Sequence, residues 1–420
     1  MLTPVGDGPR EAQSALVFDP YSPEFFADPH PVYRRLRDEA PVYYSSEHHF
    51  YALSRHDDVV AAIRDFETYA SSRGITLDLV KRGVVVEGHI LQMMDPPEHR
   101  RMRGLVNKVF TPRAIASQEP MVRATINRYA ARLDTEAFDV VRDFSAYFPV
   151  EIITTMLGVP QQDRQQVRLW QDVILHRAVG QTGMSDSGMQ ALADNESFYR
   201  DLIKQRRAHP RNDMISALTT VEVDRGDGTN TRLEDREIAG FCMQLGAAGA
   251  ETVTKLVGSA VVLFAEHPDQ WRELDADRSK IPAAVEEVLR YDGPVQYNCR
   301  FSLKDVRIHG TTIPENSAVM LLMASANRDE RAFQKADSFD INRDRNEGLG
   351  LGFGYGIHSC LGAALARMES AVALDCLLDV MPEFEVVTGD LQRVFMTNVN
   401  GYSHVPVRLR SRPTTENSSS

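Results

Sequence analysis

One short stretch constrains this chain more than any other: Phe353-Gly354-Tyr355-Gly356-Ile357-His358-Ser359-Cys360-Leu361-Gly362, continuing into Ala363-Ala364-Leu365-Ala366-Arg367-Met368-Glu369. Glycine at 354 and 356 permits positive φ, so the backbone can double back and press against something flat and bulky. From Leu361 the apolar spacing turns helical, with Leu361, Leu365, Met368 and Val372 on one face and Arg367 and Glu369 off it. The loop therefore delivers Cys360 to the first turn of a helix. Unpaired backbone N–H groups and the positive end of the dipole there stabilise a thiolate and temper the electron density it passes to a metal. Such a loop suits one metal–sulfur bond.

Taken alone, one cysteine in a glycine-rich turn is most simply a small buried apolar side chain. A zinc site using His358 and Cys360 would need further ligands, and Cys242, Cys299 and Cys376 are scattered singly. The whole pattern, F-G-x-G-x-H-x-C-x-G followed by A-x-x-L-A-R, resembles the haem-binding loop of the cytochrome P-450 family, the haem-thiolate monooxygenases. The resemblance implies a mainly α fold with small β-sheets, that family's triangular helical prism, enclosing haem b with Cys360 as the iron ligand. It also sets Phe353, Gly354, His358 and Gly362 against the haem, His358 as a donor to a propionate.

Composition agrees with an ordinary globular enzyme: 420 residues, 43% hydrophobic and 25% charged, are enough for a sizeable core. A net charge of −12 argues against nucleic acid or an anionic membrane as the main partner. Four singly spaced cysteines point to a reducing compartment. The first twenty residues are broken by charges and three prolines, so they hold no signal-peptide core. The longest apolar runs, near Val261–Ala265 and Ala318–Met323, fall short of the roughly 20 residues a membrane span needs. The expectation is an unanchored cytoplasmic protein, like the bacterial members of the family, and a monomer. With no repeat and no long linker, residues 1–410 read as one domain, and the polar tail Ser411–Ser420 reads as disordered.

Periodicity predicts a first helix around Pro31–Asp38 and strands at Val42–Tyr44 and Phe50–Leu53. Helices follow at Asp57–Ile63, His99–Val109, Ala114–Arg132, Phe148–Leu157, Gln161–His176, Gln190–Ala208 and Asp213–Val221. A long helix is expected over Leu233–His267, with further ones at Ile281–Tyr291 and Ala363–Val380. Short strands are expected near Asn298–Phe301, Thr312–Ile313, Ala318–Leu322 and Phe384–Val387.

Three further motifs accompany the loop. In the long helix, Gly246 and Gly249 cost about 1 kcal/mol each relative to alanine, so something must offset them. Either a flat ligand approaches the backbone and the helix kinks, or two helices cross closely. Ala248-Gly249-Ala250-Glu251-Thr252 resembles the family's oxygen-binding groove, with Ala248 and Gly249 against the haem and Glu251 and Thr252 as the catalytic acid–alcohol pair. Glu287 and Arg290 stand at i, i+3 and can pair. The resemblance adds Arg343 to them as a buried structural trio that serves folding and haem retention. Asp95 before two prolines reads as a helix N-cap, and His99 and Arg103, four apart, can reach one anion. In the family such a pair, together with the arginine here numbered 300, binds haem propionates. Arg100, Arg101, Lys108, Arg113 and Arg367 form a basic patch suited to an acidic electron donor.

The function implied is insertion of one oxygen atom from dioxygen into a lipophilic small molecule by hydroxylation or epoxidation. Electrons would come from a ferredoxin and an NAD(P)H-dependent ferredoxin reductase. The alternatives are a peroxide-using peroxygenase, disfavoured by the intact A-G-x-E-T groove, and a non-catalytic haem-thiolate sensor or carrier. Family resemblance draws the pocket walls from Arg73–Leu91, Ile174–Met189, Gln244–Ala248, Val295–Asn298 and Thr397–Asn400. Gln244, Val295, Gln296, Tyr297, Asn298 and Asn398 are its candidate residues. The amides among them would ask for a polar group on a lipid, steroid or terpenoid substrate, because unpaired buried amides are costly.

Overall fold

A computed structural model of the chain describes residues 16–81, 90–178, 181, 183–224 and 230–410. The tail at 411–420 and parts of the expected pocket walls (82–89, 179–180 and 182) lie outside the described residues. Helices dominate, and the spine is Asp235–Glu266, opened by a capping box between Glu234 and Glu237. It runs unbroken for 32 residues. Against it pack Phe148–Leu157, Arg164–Leu175, Asp186–Ala208, Ile281–Asp292 and Ala363–Val380. By length and composition this spine passes for a membrane-crossing helix, yet 78% of its apolar window is buried inside the protein.

The largest core, built from Val141, Phe144, Phe148, Leu256, Val257, Phe264, Trp271 and Leu377 among others, surrounds this helix. A second core lies beneath a five-stranded sheet ordered 42–45, 50–53, 318–321, 298–302 and 69–70. Its central strand, Ala318–Leu321, runs parallel to Phe50–Leu53 and antiparallel to Asn298–Ser302. All four of its residues are buried, as a strand covered on both faces requires.

Most expected elements are present within a few residues, and Phe148–Leu157 and Ala363–Val380 coincide in both bounds. Two differ for local reasons. The stretch expected as one helix over Ala114–Arg132 is two, Pro112–Ala116 and Glu119–Ala130. Pro120 opens the second because it has no N–H to give and would clash with the carbonyl four residues back. The helix expected from Gln190 starts at Asp186, because Ser185 accepts a bond from the Gly188 N–H at 3.1 Å.

Candidate active site

Cys360 lies three residues before its helix rather than inside the first turn: the helix begins at Ala363, with Gly362 at its N-cap. Gly354 and Gly356 take φ of 64° and 69°, and the Cys360 N–H then closes onto the Phe353 carbonyl at 2.9 Å. The Gly362 N–H bonds the Cys360 sulfur, and Arg103 and Arg367 lie close enough to favour its thiolate. Burial outweighs all three, so the free thiol is pushed up, not down. A Cβ on Gly362 would meet nothing within 4 Å, which leaves open space at this turn. Arg367 stacks over the Phe353 ring at 4.4 Å and is held by Glu286, so it is partly spent as a docking charge. Glu369, expected at the surface, is buried and its carboxyl is pushed well up by desolvation.

A cluster of imidazoles and guanidiniums lies at this loop. His99 and His358 stand with ring centroids 4.3 Å apart. Burial and nearby arginines depress both imidazoles, His99 to about 4 and His358 to about 2. Arg300, on Asn298–Ser302, is fully enclosed, and its Nη1 donates to the Cys299 carbonyl at 2.8 Å. Both ring nitrogens of buried His99 lack a hydrogen-bond partner among the described residues. Asp95 does not cap the helix Glu98–Val109; its carboxylate instead takes the Ser71 and Ser72 N–H groups. Two imidazoles and two guanidiniums gathered in one partly buried place, with an orphaned pair of ring nitrogens, suit an anionic group such as a carboxylate. Haem, with its two propionates, fits that set and the nearby thiol.

The long helix passes over the site with Ala248 exposed in the middle of an otherwise buried element. Thr252, one turn on, shares that face and donates its hydroxyl back to the Ala248 carbonyl at 2.8 Å. Gly249 packs toward a neighbouring helix. A Cβ there would lie 3.3 Å from Ile153 of Phe148–Leu157, and one on Gly246 would lie 3.4 Å from the Tyr199 hydroxyl. The two glycines serve helix crossings, and no break or bulge opens between them. Glu251 is not solvated: it is buried beside Lys255 Nζ at 3.1 Å.

Glu287 is buried and receives Arg290 Nε and Nη2 at 2.8 and 2.7 Å, Arg343 Nε at 3.2 Å, and the Asp340 N–H at 3.0 Å. Arg290 also donates to the carbonyls of Asn327, Ala336 and Ser338. The trio thus ties Ile281–Asp292 to the segment leading into the cysteine loop.

Several expected pocket residues turn away. Gln296 is buried with its Nε2 on the Gly293 carbonyl and its Oε1 taking the Tyr33 hydroxyl. Tyr297 lies in the second core and donates to the Thr397 carbonyl at 3.2 Å. Asn398 donates to the Tyr297 carbonyl, and Gln244 accepts the Leu91 N–H at 2.8 Å. Asn298 is half-buried, its Nδ2 on the Met323 sulfur at 3.8 Å, and Val295 packs against the sheet core and bridges Val399. Each of these amides makes at least one bond within the protein. A cavity of about 300 Å³ opens outside the loop, lined by Leu289, Leu349, Phe353, Cys360 and Arg367.

With an accessible thiol at the end of a glycine-rich loop and imidazoles and guanidiniums gathered beside it, comparison with known proteins is informative. The family model described as Cytochrome P450 matches residues 28–398, and the chain belongs to that family of haem-dependent monooxygenases. It is 42% identical to cytochrome P450 123 of Mycobacterium tuberculosis over 408 residues, covering 96% of this chain and 99% of that one. It is 35% identical to vitamin D(3) 25-hydroxylase of Pseudonocardia autotrophica, with 94% and 97% covered. Among solved structures, CYP109E1 from Bacillus megaterium in complex with testosterone superposes with a TM-score of 0.80 at 30% identity, covering 91% and 100%. An EryK mutant in complex with erythromycin B gives 0.82 at 32%, covering 92% and 97%.

Proposed function

We propose that the protein is a haem-b monooxygenase of the cytosol that inserts one atom of dioxygen into a lipophilic small molecule, with electrons from a ferredoxin and its reductase. The observation that carries this reading is the group formed by buried His99 and Arg300 and half-buried Arg103 and His358 around the approach to one thiol. Haem bound there would supply the iron at which dioxygen is activated. Cys360 would hold that iron, with the Gly362 N–H tempering the charge on its sulfur. His99, Arg103, Arg300 and His358 would hold the carboxylates. Thr252 presents a hydroxyl that can release the Ala248 carbonyl and hold a water or donate a proton at its Oγ1. Glu251 carries the proton supply behind it. This intact pair favours dioxygen over peroxide as the oxidant, and disfavours a sensor or carrier that would not need it.

The named relatives act on or hold a secosteroid, a steroid and a macrolide, which supports a bulky lipophilic substrate of that size. The test is NAD(P)H consumption with a surrogate ferredoxin and reductase, after a screen of spin-state shifts over steroids, terpenoids, macrolides and fatty acids. Substrate-dependent consumption with an oxygenated product is the expected result. Turnover only with added peroxide would establish the peroxygenase instead.

A further inference from the structure

Gln244 lies one turn before Ala248 on the long helix, and so on the face that Ala248 and Thr252 present to the site. Its side chain is half-buried, whereas its neighbours Leu245 and Gly246 are buried. The bond it makes takes the N–H of Leu91 at 2.8 Å, at the first residue of the short turn Leu91–Met93. An N–H only donates, so the amide oxygen must be the atom that meets it. That bond fixes which way the amide is turned: Oε1 is taken up by the backbone, and Nε2 points elsewhere. Among the described residues nothing accepts from Nε2, and it is not one of the enclosed polar atoms. The other amides expected in the pocket differ on this point. Gln296 places its Nε2 on the Gly293 carbonyl, Asn398 places its Nδ2 on the Tyr297 carbonyl, and Asn298 turns its Nδ2 to the Met323 sulfur. Asn195 and Tyr199 on Asp186–Ala208 also lack partners, but both are wholly enclosed, where no ligand reaches them.

We propose that Gln244 determines specificity: its Nε2 donates to a carbonyl oxygen of the substrate, which is a lipophilic ketone or ester. The inference rests on the reading of the protein as a monooxygenase whose reaction takes place beside Thr252. An amide N–H that faces an apolar ligand loses its water and gains no partner, which penalises a hydrocarbon. A carbonyl only accepts, and so matches a group that only donates. A hydroxyl would need a second partner for its own proton. Eight residues of helix separate Gln244 from Thr252, about 12 Å along the axis. A substrate held by its carbonyl at Gln244 is therefore oxidised at a remote carbon. Its skeleton must be about that long, as a steroid or a long-chain ketone is.

The test titrates holoprotein with matched pairs, androstanone against androstane and methyl tridecyl ketone against pentadecane, followed by haem spin state and by equilibrium dialysis. In the parent, at least one ketone should bind about two- to tenfold more tightly than its hydrocarbon, the worth of one neutral hydrogen bond. Gln244→Glu, at about pH 8.5 where a carboxylate is ionised, still accepts the Leu91 N–H but has no donor left. It should lose or reverse that preference while hydrogen exchange at the Leu91 amide stays as slow as in the parent. Gln244→Met should lose the preference and speed that exchange as well. Equal binding of ketone and hydrocarbon to the parent, or no binding of either ketone, would overturn the proposal. So would a Gln244→Glu protein that keeps the parent's preference, since the amide would then serve only to pin Leu91. If the preference holds but no bound ketone supports NAD(P)H consumption with the surrogate ferredoxin and reductase, the monooxygenase reading falls and the donor site stands.

Discussion

The turns around Cys360 do not by themselves make it a thiolate; a bound metal would have to do so. Burial raises the thiol, and the Gly362 N–H, Arg103 and Arg367 recover only part of that cost. Cys360→Ala should therefore abolish the red-shifted Soret band that a thiolate opposite carbon monoxide gives in the reduced protein; an unchanged band would remove Cys360 as the ligand. His99 makes a second residue-scale prediction. Its folded pKa, about 4, lies below the ordinary 6.5 because burial, with Arg103 beside it, outweighs the one nearby anion, Asp95. The unfolded chain therefore takes up the proton first as pH falls. Stability of the haem-free protein is full above about pH 6.5 and declines as pH falls toward 4. Bound propionates supply further negative charge, so thermal denaturation of holoprotein should depend less on pH between about 7 and 5 than that of apoprotein. Thr252→Ala should consume NAD(P)H at a comparable rate but release more peroxide, with product per electron pair falling severalfold and Thr252→Ser retaining most of the coupling.

At the scale of the element, the long helix is specified by its neighbours as much as by its own propensity. Gly246 and Gly249 each weaken it, and each is repaid by close contact with another helix. At Gly249 even a Cβ would stand 3.3 Å from Ile153, tighter than ordinary packing. Gly249→Val should cost about 1–3 kcal/mol in denaturant unfolding by overpacking this crossing. Oxygen chemistry should be affected less than stability, since the face presented to the site is Ala248 and Thr252. Were Gly249 a haem contact instead, haem content would fall before stability did.

The whole molecule is tied together through Glu287. One buried carboxylate collects two arginines and a backbone N–H, and Arg290 carries that connection to three carbonyls of the chain leading into the cysteine loop. Removing one partner strands the other charges away from water. Arg290→Met should cost about 3–5 kcal/mol and sharply lower the yield of haem-loaded protein, measured by denaturation and by the ratio of Soret to protein absorbance. A surface pair of the same spacing would cost well under 1 kcal/mol, so the size of the effect separates the two cases.

The chain's local chemistry was enough to read the cysteine loop, the run of helices and the family, because glycine, cysteine, histidine and period-3.6 patterns act over ten or twenty residues. Resemblance to the family, rather than local chemistry, picked out the Glu287–Arg290–Arg343 trio and the His99, Arg103, Arg300 and His358 donors by number. What it left open was facing. Gln296 and Tyr297 turn into the second core rather than the pocket, because the side a strand residue faces is set by register against partners far along the chain. Gly249 packs toward Ile153, and Glu251 is enclosed near Asp172 rather than in water. Those contacts join residues about 80 to 100 positions apart, which no local pattern records. Tertiary packing decided them, since burial and hydrogen-bond partners exist only once distant helices have met.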